Sequence, residues 1–226
     1  MTERYRTAVV TGGGRGIGAA VARALSARGL AVTVFARSAS QLEEVVRAGA
    51  ARLAVAGDVR READVRRLRE EHERVNGPID VLVNGAGILV RGPVEDLAAD
   101  AFREVLDVNL VGPFLCAREV IPGMKARRRG RVVNLASISG TLGTPLASPY
   151  NASKWGLIGL TKCLAEELRP AGVQCLSVSP GSVDTEMLAR TPFPPRMTPQ
   201  EVARVVVFAA LDAPDAMTGS NLEVFG

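Results

Sequence analysis

The chain reads as an α/β protein: one doubly wound Rossmann-type domain with a mostly parallel seven-stranded sheet and helices on both faces. Three observations predict this. Apolar, β-branched runs alternate with helix-patterned runs from end to end. Several strand runs are continuously apolar, as strands covered on both faces must be. No linker or internal repeat interrupts the 226 residues, a length that one α/β domain can fill.

Taken in order, "TAVVTG" predicts a first strand, and "GIGAAVARALSARG" a helix that stops at Gly29. "AVTVFAR" is a second strand and "ASQLEEVVRAG" its following helix. "RLAVAGDV" is a third strand, succeeded by the charged helix "READVRRLREEHERV". "IDVLVNGAG" is a fourth strand, with helices expected around "DAFREVLDVNLVG" and "PFLCAREVIPGMKARR". "GRVVNLAS" is a fifth strand, "SPYNASKWGLIGLTKCLAEELRP" a long helix, and "VQCLSVSPG" a sixth strand. The helix "TPQEVARVVVFAAL" and a short strand near "SNLEVFG" close the chain. The one loose segment, near 186–199, is rich in proline; a loop of that length in a compact domain is more often functional than idle. It is the expected substrate loop.

Composition excludes several classes. Hydrophobic residues make up 47% and charged residues 23%, far from a disordered balance. No apolar run approaches the ~20 residues of a membrane span. The opening "MTERYRTAVVTGGG" is charged and then strand-like, so a cytoplasmic protein is expected. Cys116, Cys163 and Cys175 sit in apolar runs and read as buried free thiols. His72 is the only histidine and lies in "REEHERV", so it is expected on a solvated helix face, and a histidine-based triad or metal site is not expected. The basic cluster "KARRRGR", residues 125–131, reads as a solvated helix end. Aromatics at 4% are too few for a base-stacking platform, so no nucleic-acid partner is expected.

Glycines 12, 13, 14, 16 and 18 lie between the first strand and the first helix. Glycines there permit a tight turn and let backbone N–H groups reach a pyrophosphate at the positive helix end. A turn with no ligand is the plainer alternative. The second strand ends in "FARS", with Ala36 where an NAD site usually has an acid and Arg37 beside it. Arg15 is expected to converge on the same corner. Two guanidiniums and no carboxylate suit a 2′-phosphate, so NADP(H) is expected over NAD(H), although in so arginine-rich a chain either charge could be incidental.

"TGGGRGIG", "GDV", "NGAG", "DVN", "NLAS", "YNASK" and "PGSVDT" follow one another at the spacing of the short-chain dehydrogenase/reductase family. The chain resembles its compact branch, near the 3-oxoacyl-acyl-carrier-protein reductases, over essentially its whole length. The resemblance implies cofactor contacts from Gly12, Gly14, Arg15, Gly16, Ile17, Gly18 and Arg37. It implies that Asp58 and Val59 contact adenine, that Asn84, Ala86 and Gly87 line the adenosine side, and that Pro180, Gly181, Val183 and Thr185 hold the nicotinamide carboxamide. Gly14 stands where NADP-using relatives often carry Ser.

The resemblance also implies a catalytic group of Asn109, Ser137, Tyr150 and Lys154. Ser137 would hold the substrate oxygen, Tyr150 would exchange its proton, and Asn109 would position a water that links Lys154 to solvent. Lys154 would bind the nicotinamide ribose. Tyr150 and Lys154, one helical turn apart, share a face, and an ammonium beside a phenol lowers the phenol's pKa. Ser148 is the expected N-cap and Pro149 the expected N1 residue of that helix. Lys154 is notable because the chain otherwise uses Arg almost everywhere. Ala152, Gly156, Gly159 and Cys163 form a small-residue stripe on a helix apolar almost all round, which leads to the expectation of a homo-oligomer, a dimer or tetramer. The expected activity is hydride transfer between NADPH and a small-molecule or carrier-bound carbonyl. The alternatives are an NAD-dependent alcohol dehydrogenase and a non-catalytic NADP(H) sensor.

Overall fold

A computed structural model describes residues 4–226. Its strands are β1 (Thr7–Thr11), β2 (Ala31–Ala36), β3 (Leu53–Ala56), β4 (Val81–Asn84), β5 (Gly130–Leu135), β6 (Val173–Pro180) and β7 (Asn221–Val224). They form one sheet in the order β3-β2-β1-β4-β5-β6-β7, and every pair is parallel. The helices are α1 (Gly16–Ala27), α2 (Ala39–Arg47), α3 (Glu62–Asn76), α4 (Ala99–Leu106), α5 (Gly112–Arg127), α6 (Ser148–Leu168) and α7 (Pro199–Val207).

The period-2 geometry of the strands sorts their side chains into two cores. Ala8 and Val10 of β1 join Val21, Leu25, Leu42, Val202 and Val206 from α1, α2 and α7. Val9, between them, joins Phe35, Leu82, Leu115, Met124 and Leu168 on the opposite face. Each fully buried Val or Leu contributes about 1.5–3 kcal/mol of transfer free energy, so reversing one strand's phase is prohibitive. The chain runs outward from β1 to β3, then returns to place β4 on β1's other side. That reversal opens a crevice at the carboxyl ends of β1 and β4, the place where open α/β sheets bind ligands.

Local signals account for the helix ends unevenly. Thr198 and Glu201 close a reciprocal capping box on α7, and Ser38 Oγ accepts from Gln41 N at the start of α2. The cap expected at Ser148 does not form. Ser148 is itself the first helical residue, Ala147 stands at the cap, and Ser148 Oγ is buried with no partner. α4 and α5 are one continuous helix joined through a π-helical turn, Asp107–Val111. Pro113 explains the loosening. It has no N–H to donate to the Asn109 carbonyl four residues back, and its ring crowds that carbonyl.

Three surface expectations are corrected. His72 is fully buried, its Nδ1 2.8 Å from Thr33 Oγ1, because it continues the inward stripe of Val65 and Leu68 on α3. Arg131 is 1% exposed because it stands on an interior strand of a sheet covered on both faces. It donates to the Ala209 and Ala213 carbonyls at 3.0 and 2.8 Å and to Asp215 at 3.0 Å. Cys116 and Cys175 are buried as expected, whereas Cys163 faces outward on α6.

Candidate active site

A cleft of about 970 Å³ runs along the carboxyl ends of the strands. Its floor is the turn between β1 and α1. Gly12 has φ +67°, and a Cβ there would lie 2.6 Å from the Gly85 carbonyl oxygen. A Cβ on Gly18 would lie 2.1 Å from the Gly12 carbonyl oxygen. Both positions therefore exclude any side chain, and the turn stays flat against the start of α1. That helix begins with no side-chain cap and no acidic residue in its first turn. Its N–H groups and positive dipole end remain available to an anion. A bare glycine cradle with an uncapped helix end fits the pyrophosphate of a dinucleotide.

The corner expected to take the adenosine side is built from the ends of β2 and β3. Ala36, Arg37, Ser38 and Gln41 line the cleft with no carboxylate among them. Arg37 is exposed and has no ion pair or hydrogen bond among the described residues. Arg15 does not turn toward it; its guanidinium pairs with Glu186 from the loop after β6. Gly16, with φ +52°, abuts Thr185 of the same loop. The loop thus rests on the glycine turn at two points. Asp58 and Val59 line the cleft, with the Asp58 carboxylate gripped by Arg60 at 2.6 Å. That hydrogen bonding holds the Asp58 carboxyl below its ordinary pKa, against the opposing effect of burial. Asn84 stands outside the lining, where Gly85, Ala86 and Gly87 take its place. Its Nδ2 donates to Asn134 Oδ1 at 2.9 Å in the core; that pair staples β4 to β5.

Ser137, Tyr150 and Lys154 all stand on the cleft wall. Ser137 lies just past β5, its Oγ accepting from Ser139 N at 3.1 Å. Lys154 Nζ donates to the Leu135 carbonyl at 2.7 Å and sits 5.6 Å from the centre of the Tyr150 ring. Burial lowers Lys154 to a pKa of about 8. The lowering of Tyr150 anticipated from the Tyr–Lys spacing does not occur here. Burial pushes the phenol above its ordinary value, with Ser137 pulling it back, and the ammonium is engaged by Leu135. Asn109, in the π turn, is buried behind the wall. Its Nδ2 donates to Ile88 O at 2.9 Å and Ser153 Oγ at 3.0 Å, and its Oδ1 accepts from Ile88 N at 2.8 Å.

Ser153 was not legible as a site residue. It sits between Asn109 and the Tyr150 carbonyl, to which its Oγ donates at 2.6 Å, so it locks the first turn of α6 to the π turn. Its position inside "YNASK" was the available signal. Pro180, Gly181, Val183 and Thr185 line the cleft, and so do Gly12, Gly14, Ile17 and Gly18. A short parallel bridge between Val183 and Met197 pinches the base of the following loop, and the loop carries a 3₁₀ turn at Leu188–Arg190.

Comparison with known proteins agrees with this geometry. The family model for short chain dehydrogenases matches residues 6–193. The 3-alpha-(or 20-beta)-hydroxysteroid dehydrogenase of Mycobacterium tuberculosis is 38% identical over 233 residues, covering 98% of this chain and 88% of that one. The 3-oxoacyl-acyl-carrier-protein reductase of Synechocystis is 36% identical over 241 residues, covering 98% and 96%. A crystal structure described as ribose-5-phosphate isomerase from Brucella melitensis 16M matches with a TM-score of 0.92 at 35% identity, covering 98% of this chain and 92% of that one. A shared fold does not bring that protein's reaction with it. With a family match over most of its length and relatives aligned nearly end to end, the chain belongs to the short-chain dehydrogenase family, whose oxidoreductases work with a nicotinamide cofactor.

Proposed function

We propose that the protein is an NADP(H)-dependent carbonyl reductase, interconverting a ketone or aldehyde and its alcohol. The observation that carries this reading is that Ser137, Tyr150 and Lys154 open onto the same cleft as Arg37, an arginine that makes no ion pair among the described residues and feels an acid only at longer range, from Asp58. The nicotinamide, when bound, supplies the hydride. The chain supplies the rest. Ser137 Oγ donates a hydrogen bond to the substrate oxygen. Tyr150, kept protonated at neutral pH by its raised pKa, gives that oxygen its proton, help worth typically ~10²–10⁴-fold. Lys154 stabilises the phenolate left behind and reaches the nicotinamide ribose.

Asn109 is a positioning residue. Its amide N–H groups are spent on Ile88 and Ser153, but Oδ1 keeps a lone pair on the side where Gly87 separates it from Lys154 Nζ. A Cβ on Gly87 would lie 3.4 Å from Oδ1 and 3.9 Å from Nζ. A water beside Gly87 would bridge the two and return a proton to Lys154. The segment 186–199 acts as the substrate loop. No helix among the described residues is long and apolar enough to cross a membrane, and we assign the enzyme to the cytoplasm. Exposed Val111 of the π turn, Phe114 of α5 and Trp155 of α6 form the surface through which we expect it to self-associate.

One observation favours the NAD-dependent alternative: Arg15 is already neutralised by Glu186, leaving Arg37 alone to meet a phosphate. Comparing NADPH with NADH on a panel of carbonyls decides between the two, and consumption of neither cofactor would leave only a sensor. The Tyr150→Phe variant tests the chemistry. NADPH oxidation should cease while NADPH binding, followed by its fluorescence, persists; retained turnover refutes the assignment.

A further inference from the structure

The cleft lining extends beyond Tyr150 to a mouth away from the glycine turn. Its walls are the segment after β4, the segment between β5 and α6, and the tip of the substrate loop. Leu142 and Phe193 line it and expose apolar surface, at 52% and 43%. Among them stands Arg91. Its Nη2 donates to the Pro145 carbonyl at 3.3 Å, and its guanidinium lies 5.6 Å from the centre of the Phe193 ring. The next residue fixes the backbone, Gly92 N donating to Leu146 O at 2.8 Å. Leu146 holds a φ of +62°, a left-handed conformation that costs a bulky residue free energy and collects at functional sites.

Arg91 has no Asp or Glu within ion-pair distance among the described residues. Many other arginines do, including Arg15, Arg60, Arg69, Arg129 and Arg131. One long hydrogen bond and a ring contact orient its guanidinium without satisfying it, and most of its five N–H donors have no protein partner among the described residues. Apolar neighbours strengthen its field. As a strut between two loops it is weak. As a fork for a planar anion it is well placed.

We propose that Arg91 receives the carboxylate of the substrate, which makes the substrate class an oxo acid or hydroxy acid. An apolar spacer between its carbonyl and its carboxylate lies along Leu142 and Phe193. This rests on the carbonyl-reductase reading. Hydride goes to the carbonyl carbon and the Tyr150 proton to its oxygen, so two electrons leave the reduced cofactor, and the carboxylate is unchanged.

The test uses matched pairs, 4-oxocyclohexanecarboxylate and 5-oxohexanoate with their methyl esters. Each is assayed with NADPH and NADH on the wild type, Arg91→Gln and Arg91→Lys. The wild type should prefer acid over ester. Arg91→Gln should cut that preference by about 10- to 100-fold, the scale of a charged hydrogen bond, through KM of the acid. Arg91→Lys, which keeps the charge and loses the fork, should fall between. Equal losses for acid and ester would reduce Arg91 to a strut and overturn the proposal, as would a wild type that prefers esters. If no carbonyl is reduced with either cofactor, the reductase reading has failed. Saturation-transfer NMR then decides Arg91 separately. Binding of cyclohexanecarboxylate should weaken about tenfold or more in Arg91→Gln while cyclohexanecarboxamide is unmoved; unchanged carboxylate binding sinks the proposal.

Discussion

His72 makes the stability of this fold depend on pH in a way that one resonance can report. Its Nδ1 is met by Thr33 Oγ1, which also accepts from Asn76 Nδ2 at 3.0 Å. Its Nε2 is buried with no partner. Protonating the ring would place a second N–H against apolar surroundings, and Asp80 offsets only part of that cost. Burial accordingly lowers the pKa from 6.5 to about 4. The unfolded chain binds the proton more readily than the folded one, so stability is complete above pH 6.5 and drains away as pH falls towards 4. At 1.36 kcal/mol per tenfold change in proton affinity, the ceiling is about 3 kcal/mol, with roughly 2 kcal/mol already lost at pH 5. The assay is urea unfolding from pH 8 to pH 4.5 for wild type and His72→Gln. Carboxylate titration is common to both, so subtracting the two curves isolates the imidazole. Because the chain has a single histidine, its ring protons in NMR give the folded pKa directly. A folded value near 6.5, or the same acid sensitivity in both proteins, would refute the reasoning.

Other perturbations address other parts of the structure. Glu186→Gln releases Arg15, and because the pair is exposed its effect is small: NADPH affinity should rise by up to about fivefold with NADH unmoved, read by cofactor titration. Arg37→Ala should weaken NADPH by about tenfold and leave NADH alone; equal effects on both cofactors would remove Arg37 from the phosphate corner. Lys154, with a pKa of about 8, is cationic below that pH and neutral above it. kcat/KM for carbonyl reduction should therefore fall above pH 8, and a profile flat to pH 10 would count against its charge. Arg131→Ala removes the donors that satisfy two interior carbonyls and should cost about 3–5 kcal/mol in chemical denaturation.

The alternation of strands and helices was legible because each strand is a short apolar run between turn residues, and the sheet needed nothing else. What alternation cannot express is depth. "REEHERV" looks solvated by composition, yet His72 follows Val65 and Leu68 at intervals of three and four, the spacing of a buried stripe. Arg131 was hidden similarly, since a run of basic residues obscures the point at which the chain enters an interior strand. At the site, the backbone turns and Ser137 could be placed from their positions beside strand ends, and Tyr150 and Lys154 from their one-turn spacing on α6. The partners of charged groups could not, because Arg15 and Glu186 are joined only by the folding of a distant loop. Asn84 illustrates the limit of motif reading: the segment lines the cleft, but this side chain points into the core.

The π turn at Asp107–Val111 carries one residue more than an ordinary helical turn would hold. α4 and α5 are therefore out of phase about their common axis. Removing any one residue from that turn would swing everything on one side by about 100°. Asn109 would leave Ile88 and Ser153, and the inward stripe of α4 would no longer line up with that of α5. The segment tolerates substitution more readily than a change of length. Single-residue deletions across 104–114 should all disrupt the site, while substitutions of exposed side chains over the same span should be accepted.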